Sequence, residues 1–258
     1  MNKRNLYQYR FCDGKAFVMF NFLERSLPIF GEEGINKLQN STVVLLGVGG
    51  VGGGAAEGLC RAGVGTIVLV DNDEVSLSNC NRQLVATTQT IGRPKAEVAK
   101  ERLLAINPQC NVITEQRFYL PEESAFLFSY NPDVVLDAID TVTAKLHLAQ
   151  ECSARGITLI SSMGTGNRCN PSCLRIGDIA ETSGNGCPLA RIMRRELKKR
   201  GVNALQTVYS VEKPTSSICV ETSNGRHAPA STAFVPPAAG FLLAYGAVSA
   251  ILQRKDCI

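Results

Sequence analysis

The sequence predicts an α/β fold: a doubly wound, mostly parallel sheet extended by further strands in the C-terminal half. Three observations carry this. Short β-branched apolar runs alternate with stretches of helical period through the first two thirds of the chain, and such alternation means parallel strands joined by right-handed crossovers. A glycine-rich turn, GVGGVG, joins one of these strands to the helix that follows it. No internal repeat, low-complexity tract or clear linker interrupts the pattern.

Taken in order, TVVLLG (Thr42 to Gly47) reads as a buried strand, an apolar β-branched run ending in glycine. Gly50 to Ala62 follows as a helix whose small residues suit close packing on the sheet. TIVLVD is a second strand. Pro94 opens a helix in RPKAEVAKERLLAINP, with Ala96, Ala99, Leu103 and Ile106 on one face. NVITE and VVLDAI (Val134 to Ile139) are the third and fourth strands. TVTAKLHLAQECSARG is a helix stopped by its glycine, and TLISSM a fifth strand. Beyond Met163 the pattern loosens: LRIGDI and TVYSV read as strands and CPLARIMRRELKKRG as a basic helix. Two loops, near Gly164 to Gly186 and Lys213 to Ala233, are rich in Gly, Ser, Thr, Asn and Pro, the usual composition of lids or disordered segments.

Composition excludes some classes. At 258 residues and 45% hydrophobic, the chain can enclose one substantial core. A net charge of +4 permits a polyanionic partner without requiring one. With no Trp and 6% aromatics, the surface is not built mainly to stack bases. Ten cysteines with no CxxC read as reduced cytosolic thiols. Cys169, Cys173, Cys187 and Cys219 are poorly spaced for zinc. The N-terminal run AFVMFNFL lacks a cleavage site and is followed by an acid, which argues against a signal peptide. Met19 offers an alternative start, leaving the residues before it as a poorly ordered extension. The apolar run in PPAAGFLLAYGAVSAIL is too short to span a membrane and reads as a buried helix.

The chemistry gathers at the strand ends. Gly47, Gly49, Gly50 and Gly52 let backbone approach a phosphate, and the helix beginning there offers free N–H groups and a positive dipole. Asp71 closes the second strand, where a carboxylate can take ribose hydroxyls; the competing role is a turn cap. Asp73 stands beside it. The segment LSNCNRQLV then supplies Asn79, Asn81, Arg82 and Gln83, a dense donor set. A planar guanidinium suits a triphosphate, whereas hydride transfer has no use for that charge. Arg93 and Lys95 place two cations at a helix start, a mild local penalty that a bound anion would relieve. Asp140 follows the fourth strand, where it could hold magnesium against phosphate oxygens or cap the next helix.

These residues together resemble the ubiquitin-activating-like adenylating enzymes, the superfamily of bacterial sulfur-carrier activators. GxGGxG, a ribose Asp, NxNRQ, the Lys and DAxD occur in the family's order across roughly residues 31 to 163. The resemblance implies adenylation of a carboxylate by ATP and Mg2+. It assigns Asp71 to ribose, Asn79, Arg82 and Lys95 to the phosphates, and Asp140 to magnesium. It also implies a homodimer in which an N-terminal arginine, here Arg25, enters the partner's site. Residues 1–30 would then form an extension with that arm. Residues 31–258 would form one domain, with a nucleotide-binding half to about 165 and a substrate half from about 166.

Within that superfamily the chain is most similar to the tRNA threonylcarbamoyladenosine dehydratases, through IFGEEGINKL, DAIDTVTAK, SSMGTGN, CPLARIMRRELKKRG and FVPPAAG. This implies ATP-dependent ring closure of threonylcarbamoyladenosine in tRNA by a cytoplasmic enzyme. Arg191, Arg194, Arg195, Lys198, Lys199 and Arg200 become candidate phosphate contacts, against the bland reading of a solvated helix face. Cys187, ahead of that helix, is a candidate thiol, since relatives that handle sulfur use a cysteine for acyl or sulfur transfer and a helix N-terminus could lower its pKa, although intramolecular ring closure does not obviously need a nucleophile. The alternative substrate is the C-terminus of a ubiquitin-like sulfur-carrier protein. Many activators of such carriers bear paired CxxC zinc ligands, which this chain lacks.

Overall fold

A computed structural model describes residues 7–12, 15–215, 219–221 and 227–253. Strands β1 (Tyr7–Cys12) and β2 (Lys15–Phe20) form an antiparallel hairpin ahead of the main sheet, where the sequence reading expected only a loose extension. Helix α1 (Leu27–Gln39) follows, bent at Gly31, whose φ of 71° is left-handed. The break at Gly31, where the backbone leaves the helical region, falls at the boundary expected between the N-terminal extension and the main domain.

The body is one sheet with helices on both faces. In chain order come β3 (Thr42–Leu46), α2 (Gly50–Ala62), β4 (Thr66–Val70), α3 (Lys95–Ile106), β5 (Asn111–Glu115), α4 (Ala125–Phe128) and β6 (Val134–Asp137). Then follow α5 (Val142–Arg155), β7 (Thr158–Ser162), β8 (Leu174–Asp178), α6 (Pro188–Lys199) and β9 (Gln206–Ser210). A short pair, β10 (Cys219–Glu221) and β11 (His227–Pro229), and the closing helix α7 (Val235–Leu252) complete the described chain.

The seven strands lie in the order β5-β4-β3-β6-β7-β9-β8. All neighbours are parallel except β8 and β9. The predicted doubly wound architecture is thus borne out, including its C-terminal extension. Chain direction along the sheet reverses between β3 and β6, and in such sheets that reversal opens a crevice at the carboxyl ends of the strands.

Alternation along each strand divides the core. Val43 and Leu45 face the layer of α2, α3 and α7, while Val44 and Leu46 face α5 and α6. Helix α7 lies close on α2 because glycines remove the side chains between them. A Cβ on Gly240 would fall 2.0 Å from the carbonyl of Val51, and one on Gly54 would fall 2.5 Å from that of Pro237. The packing answers the sequence-level question about this apolar run. At 18 residues the helix is long enough to cross a membrane, yet 56% of it is buried inside the protein. Fully enclosed Leu243 alone contributes about 1.5–3 kcal/mol by burial.

Candidate active site

The crevice at the reversal is a cavity of about 510 Å³. Its floor is the glycine loop. Gly47 sits at φ +84°, and its own Cβ would meet the Ala138 carbonyl at 2.9 Å, so only glycine fits. The N-terminus of α2 carries no side-chain cap. Helix α5, whose N-cap is Thr141, is likewise uncapped by a side chain and starts at the same cavity. Two positive dipole ends converge on one space, an arrangement suited to a polyanion.

Most of the predicted residues line this space: Gly47, Gly49, Asp71, Asp73, Asn79, Arg82, Gln83, Lys95 and Asp140. Asp71 Oδ2 accepts the Val48 N–H at 2.6 Å and Oδ1 the Asp73 N–H at 2.8 Å. It is therefore a turn cap as well as a cavity wall. Burial pushes its carboxyl above the usual value, against the lowering effect of those two bonds. Asn79 Oδ1 accepts the Ser76 N–H, which ties the loop together through a capping box. Gln83 is buried, and its Oε1 has no hydrogen-bond partner.

The charges are arranged unevenly. Lys95 is buried and donates to Asp73 Oδ2 at 2.7 Å. Arg82 donates to the Ser78 carbonyl and to Asn81 Oδ1, at 2.9 and 2.8 Å, which fixes its direction without neutralising it. Among the described residues no carboxylate pairs with Arg82. Asp140 is exposed and makes no hydrogen bond or ion pair among the described residues. Since the N-cap of α5 is Thr141, the competing capping role for Asp140 is removed.

Several expectations need correction. Gly50 and Gly52 do not line the cavity wall; their missing side chains answer to packing, although their N–H groups still open α2. A Cβ on Gly50 would reach Pro236 at 2.9 Å, and one on Gly52 would lie 1.7 Å from the Gly47 carbonyl. Arg93 pairs with Glu101 rather than awaiting an anion. Arg25, expected in a partner's site rather than in its own, is exposed and absent from this cavity wall, because Leu23 packs on Gly63 at the far end of α2. Cys187 lies in a separate hollow of about 290 Å³ with Arg191 and Arg194. Its Sγ caps α6 by accepting the Ala190 N–H at 3.4 Å. On α6 itself, Arg195, Lys199 and Arg200 are all bound to Glu196, and Arg194 to Thr182. Three of the six cations proposed for RNA are therefore already paired with a carboxylate. Among the described residues no three His, Cys, Asp or Glu side chains gather to hold a metal; the side chain of Cys219 lies outside that set.

Sequence reasoning missed one wall. Arg117, Phe118 and Tyr119 line the cavity from the segment after β5. The Tyr119 hydroxyl is anchored 2.8 Å from His147 Nδ1, and Arg117 is bound to Glu115. Their place past a strand's carboxyl end was the available signal.

The ThiF family model matches residues 23–256. The chain belongs to the ThiF family. Among members of that family, the Bacillus subtilis tRNA threonylcarbamoyladenosine dehydratase is 41% identical over 247 residues, 92% of this chain and 96% of that protein. The crystal structure of E. coli tRNA N6-threonylcarbamoyladenosine dehydratase, TcdA, in complex with ATP superposes with a TM-score of 0.80 at 30% identity. That match covers 89% of this chain and 93% of TcdA. The E. coli sulfur carrier protein ThiS adenylyltransferase is 39% identical over 134 residues, 52% of this chain and 53% of its own length.

Proposed function

We propose that this ThiF-family chain catalyses the ATP-dependent dehydration of threonylcarbamoyladenosine in tRNA. The observation that carries the reading is a cavity with two uncapped helix N-termini and an unneutralised guanidinium, in a chain alike over 92% of its length to a tRNA threonylcarbamoyladenosine dehydratase. The likeness to the carrier-protein adenylyltransferase stops at about half the chain. A shared adenylation core with a different substrate half accounts for both extents.

In the reaction, the threonyl carboxylate attacks the α-phosphate of ATP and pyrophosphate leaves. The carbamoyl group of the same modification then attacks the acyl-adenylate and AMP leaves, so the net change is loss of water and closure of a ring. The first step brings two anions together. Arg82, the uncapped N–H groups of α2 and Lys95 would offset that repulsion, and loss of one such contact costs about 10²–10³ in rate. The second step needs mainly orientation, since both reacting groups sit on one molecule. Asp71 would hold the ribose, with Asn79 and Gln83 beside it.

Magnesium fits here as an ion shared with phosphate, because Asp140 is a lone, unpaired carboxylate and one or two carboxylates suffice for such a site. When bound, it would screen charge on the phosphates. Arg25 stands away from its own cavity, which supports a homodimer in which each arm completes the partner's site. Residues 166–258 are then the substrate half. Arg191 and Lys198, with no ion pair among the described residues, are the cations of α6 best placed for tRNA phosphates. The seven cysteines whose side chains are described are all free, which supports a reducing, cytoplasmic setting.

The test is pyrophosphate release from ATP and magnesium, comparing tRNA that carries threonylcarbamoyladenosine with the same transcript lacking it. Release only with the modified tRNA, lost in Arg82→Ala and Asp140→Ala, is the expected result. Release only with a diglycine-tailed carrier protein would overturn the tRNA reading and keep the adenylation.

A further inference from the structure

Lys145 is the largest fully buried side chain in the described protein, with 0% exposure. It does not line the cavity. All three ammonium protons are used: Nζ donates to Asp137 Oδ2 at 2.9 Å, to Ser161 Oγ at 3.1 Å and to the Ser162 carbonyl at 2.8 Å. Asp137 is equally enclosed. Its Oδ2 also accepts the Ser161 hydroxyl at 2.6 Å, and its Oδ1 accepts the Ile139 N–H at 3.2 Å.

Stability alone does not account for such a pair. Buried ion pairs are often replaced by apolar residues at no loss, because desolvation cancels most of the attraction. The lysine also lies in the first turn of α5, where a cation opposes the helix dipole. What the pair does is join three segments behind the cavity wall: the end of β6, the end of β7 and the start of α5. One of its bonds, to Ile139 N–H, grips the turn from Ala138 to Asp140. The other side of that turn is held by the Ala138 N–H donating to the Leu46 carbonyl at 2.8 Å. The same turn presses against Gly47 and Gly52 of the glycine loop.

We propose that the buried Asp137–Lys145 pair is a positioning device that sets Asp140, and the turn carrying it, against the glycine loop. The idea rests on the adenylation reading above, and names residues of that site which touch neither substrate nor phosphate.

Two double variants separate positioning from mere structure. Asp137→Leu with Lys145→Met replaces the network by apolar volume. Asp137→Asn with Lys145→Met also removes both charges but keeps Oδ1 as an acceptor for Ile139 N–H, while its amide NH2 can donate to Ser161 Oγ. The expected result is similar melting temperatures for the two. The apolar variant should lose about 10–100-fold in kcat for pyrophosphate release, the scale of a displacement near 1 Å at a reacting centre. The asparagine variant should keep most of its kcat, and KM for tRNA should move in neither. Adding Asp140→Asn to the apolar variant should cost little more, because both changes disable the same group.

Affinity for magnesium–ATP, read by titration calorimetry, should fall about tenfold in the apolar variant relative to the asparagine variant. This readout needs no acceptor. A failure of unaltered protein to release pyrophosphate would therefore count against the proposed reaction and leave the positioning claim to be decided by calorimetry. Equal kcat and equal affinity in both variants would overturn the proposal. So would losses from the apolar pair and from Asp140→Asn that simply multiply.

Discussion

Gly52 gives the sharpest single-residue prediction, because its neighbour supplies the control. A Cβ on Gly52 would lie 1.7 Å from the Gly47 carbonyl oxygen. That obstacle is backbone, so the glycine loop must retreat by more than about an ångström to restore contact distance. A Cβ on Gly53 would have Leu84 at 3.9 Å as its nearest neighbour, an ordinary contact. Both residues lie in α2, where alanine is favoured over glycine by about 0.8–1.0 kcal/mol. Gly53→Ala should therefore be neutral or slightly stabilising, with ATP binding unchanged. Gly52→Ala should cost about 1–3 kcal/mol through overpacking. It should also lower turnover about 10²-fold, since the loop it displaces forms the cavity floor. Urea denaturation and calorimetric titration with ATP measure the two effects. Wild-type ATP affinity and turnover in Gly52→Ala would refute the assignment of this loop to the phosphates.

Other outcomes follow from the same geometry. Glu196→Gln should free Arg195, Lys199 and Arg200, raising tRNA affinity and steepening its salt dependence if α6 meets the backbone; a filter-binding series in salt reads this. Bonds from Arg200, then Lys199 and Arg195, hold the Glu196 carboxyl down at about 2, so these pairs persist through the ordinary carboxylate range and break only as pH falls toward about 2. At Glu57 burial raises the carboxyl, but hydrogen bonds from Arg102 and Arg61 outweigh it and leave the group below its ordinary value. Its contribution to stability is present at neutral pH and lost as pH falls. Glu57→Gln should therefore melt lower than wild type at pH 7, with the gap closing only as pH falls below the ordinary carboxylate value of 4.5. Mixing Arg25→Ala with Arg82→Ala, each inactive alone, should restore about a quarter of wild-type activity by random pairing in a dimer; no recovery would place Arg25 outside the partner's site.

The sheet was legible because its strands are short apolar runs closed by glycine or aspartate, and period alone separates them from the helices between. Thr42 to Leu46 and Thr66 to Val70 show this most plainly, each ending where a cavity residue begins. The polar wall from Asp71 to Lys95 was legible for the same reason, since it lies in one continuous stretch past a strand end. What was not legible depends on distant partners. Gly50 and Gly52 fit a phosphate motif, yet their lack of a side chain answers to Pro236 and to the Gly47 carbonyl. The role of Glu196 depends on helical spacing to three cations that composition counts as free. Lys145 reads as an ordinary surface lysine until β7 brings Ser161 and Ser162 beneath it. Tyr119 and its wall required knowing that β5 ends beside the same crevice.

The central claim is tested most directly by the mass of the tRNA nucleoside. Modified tRNA should be incubated with the protein, ATP and magnesium, digested under mild conditions and analysed by mass spectrometry. Loss of one water from threonylcarbamoyladenosine, dependent on ATP and absent in Asp140→Ala, is the predicted result. An unchanged nucleoside, with an adenylate appearing instead on a diglycine-tailed carrier protein, would contradict it.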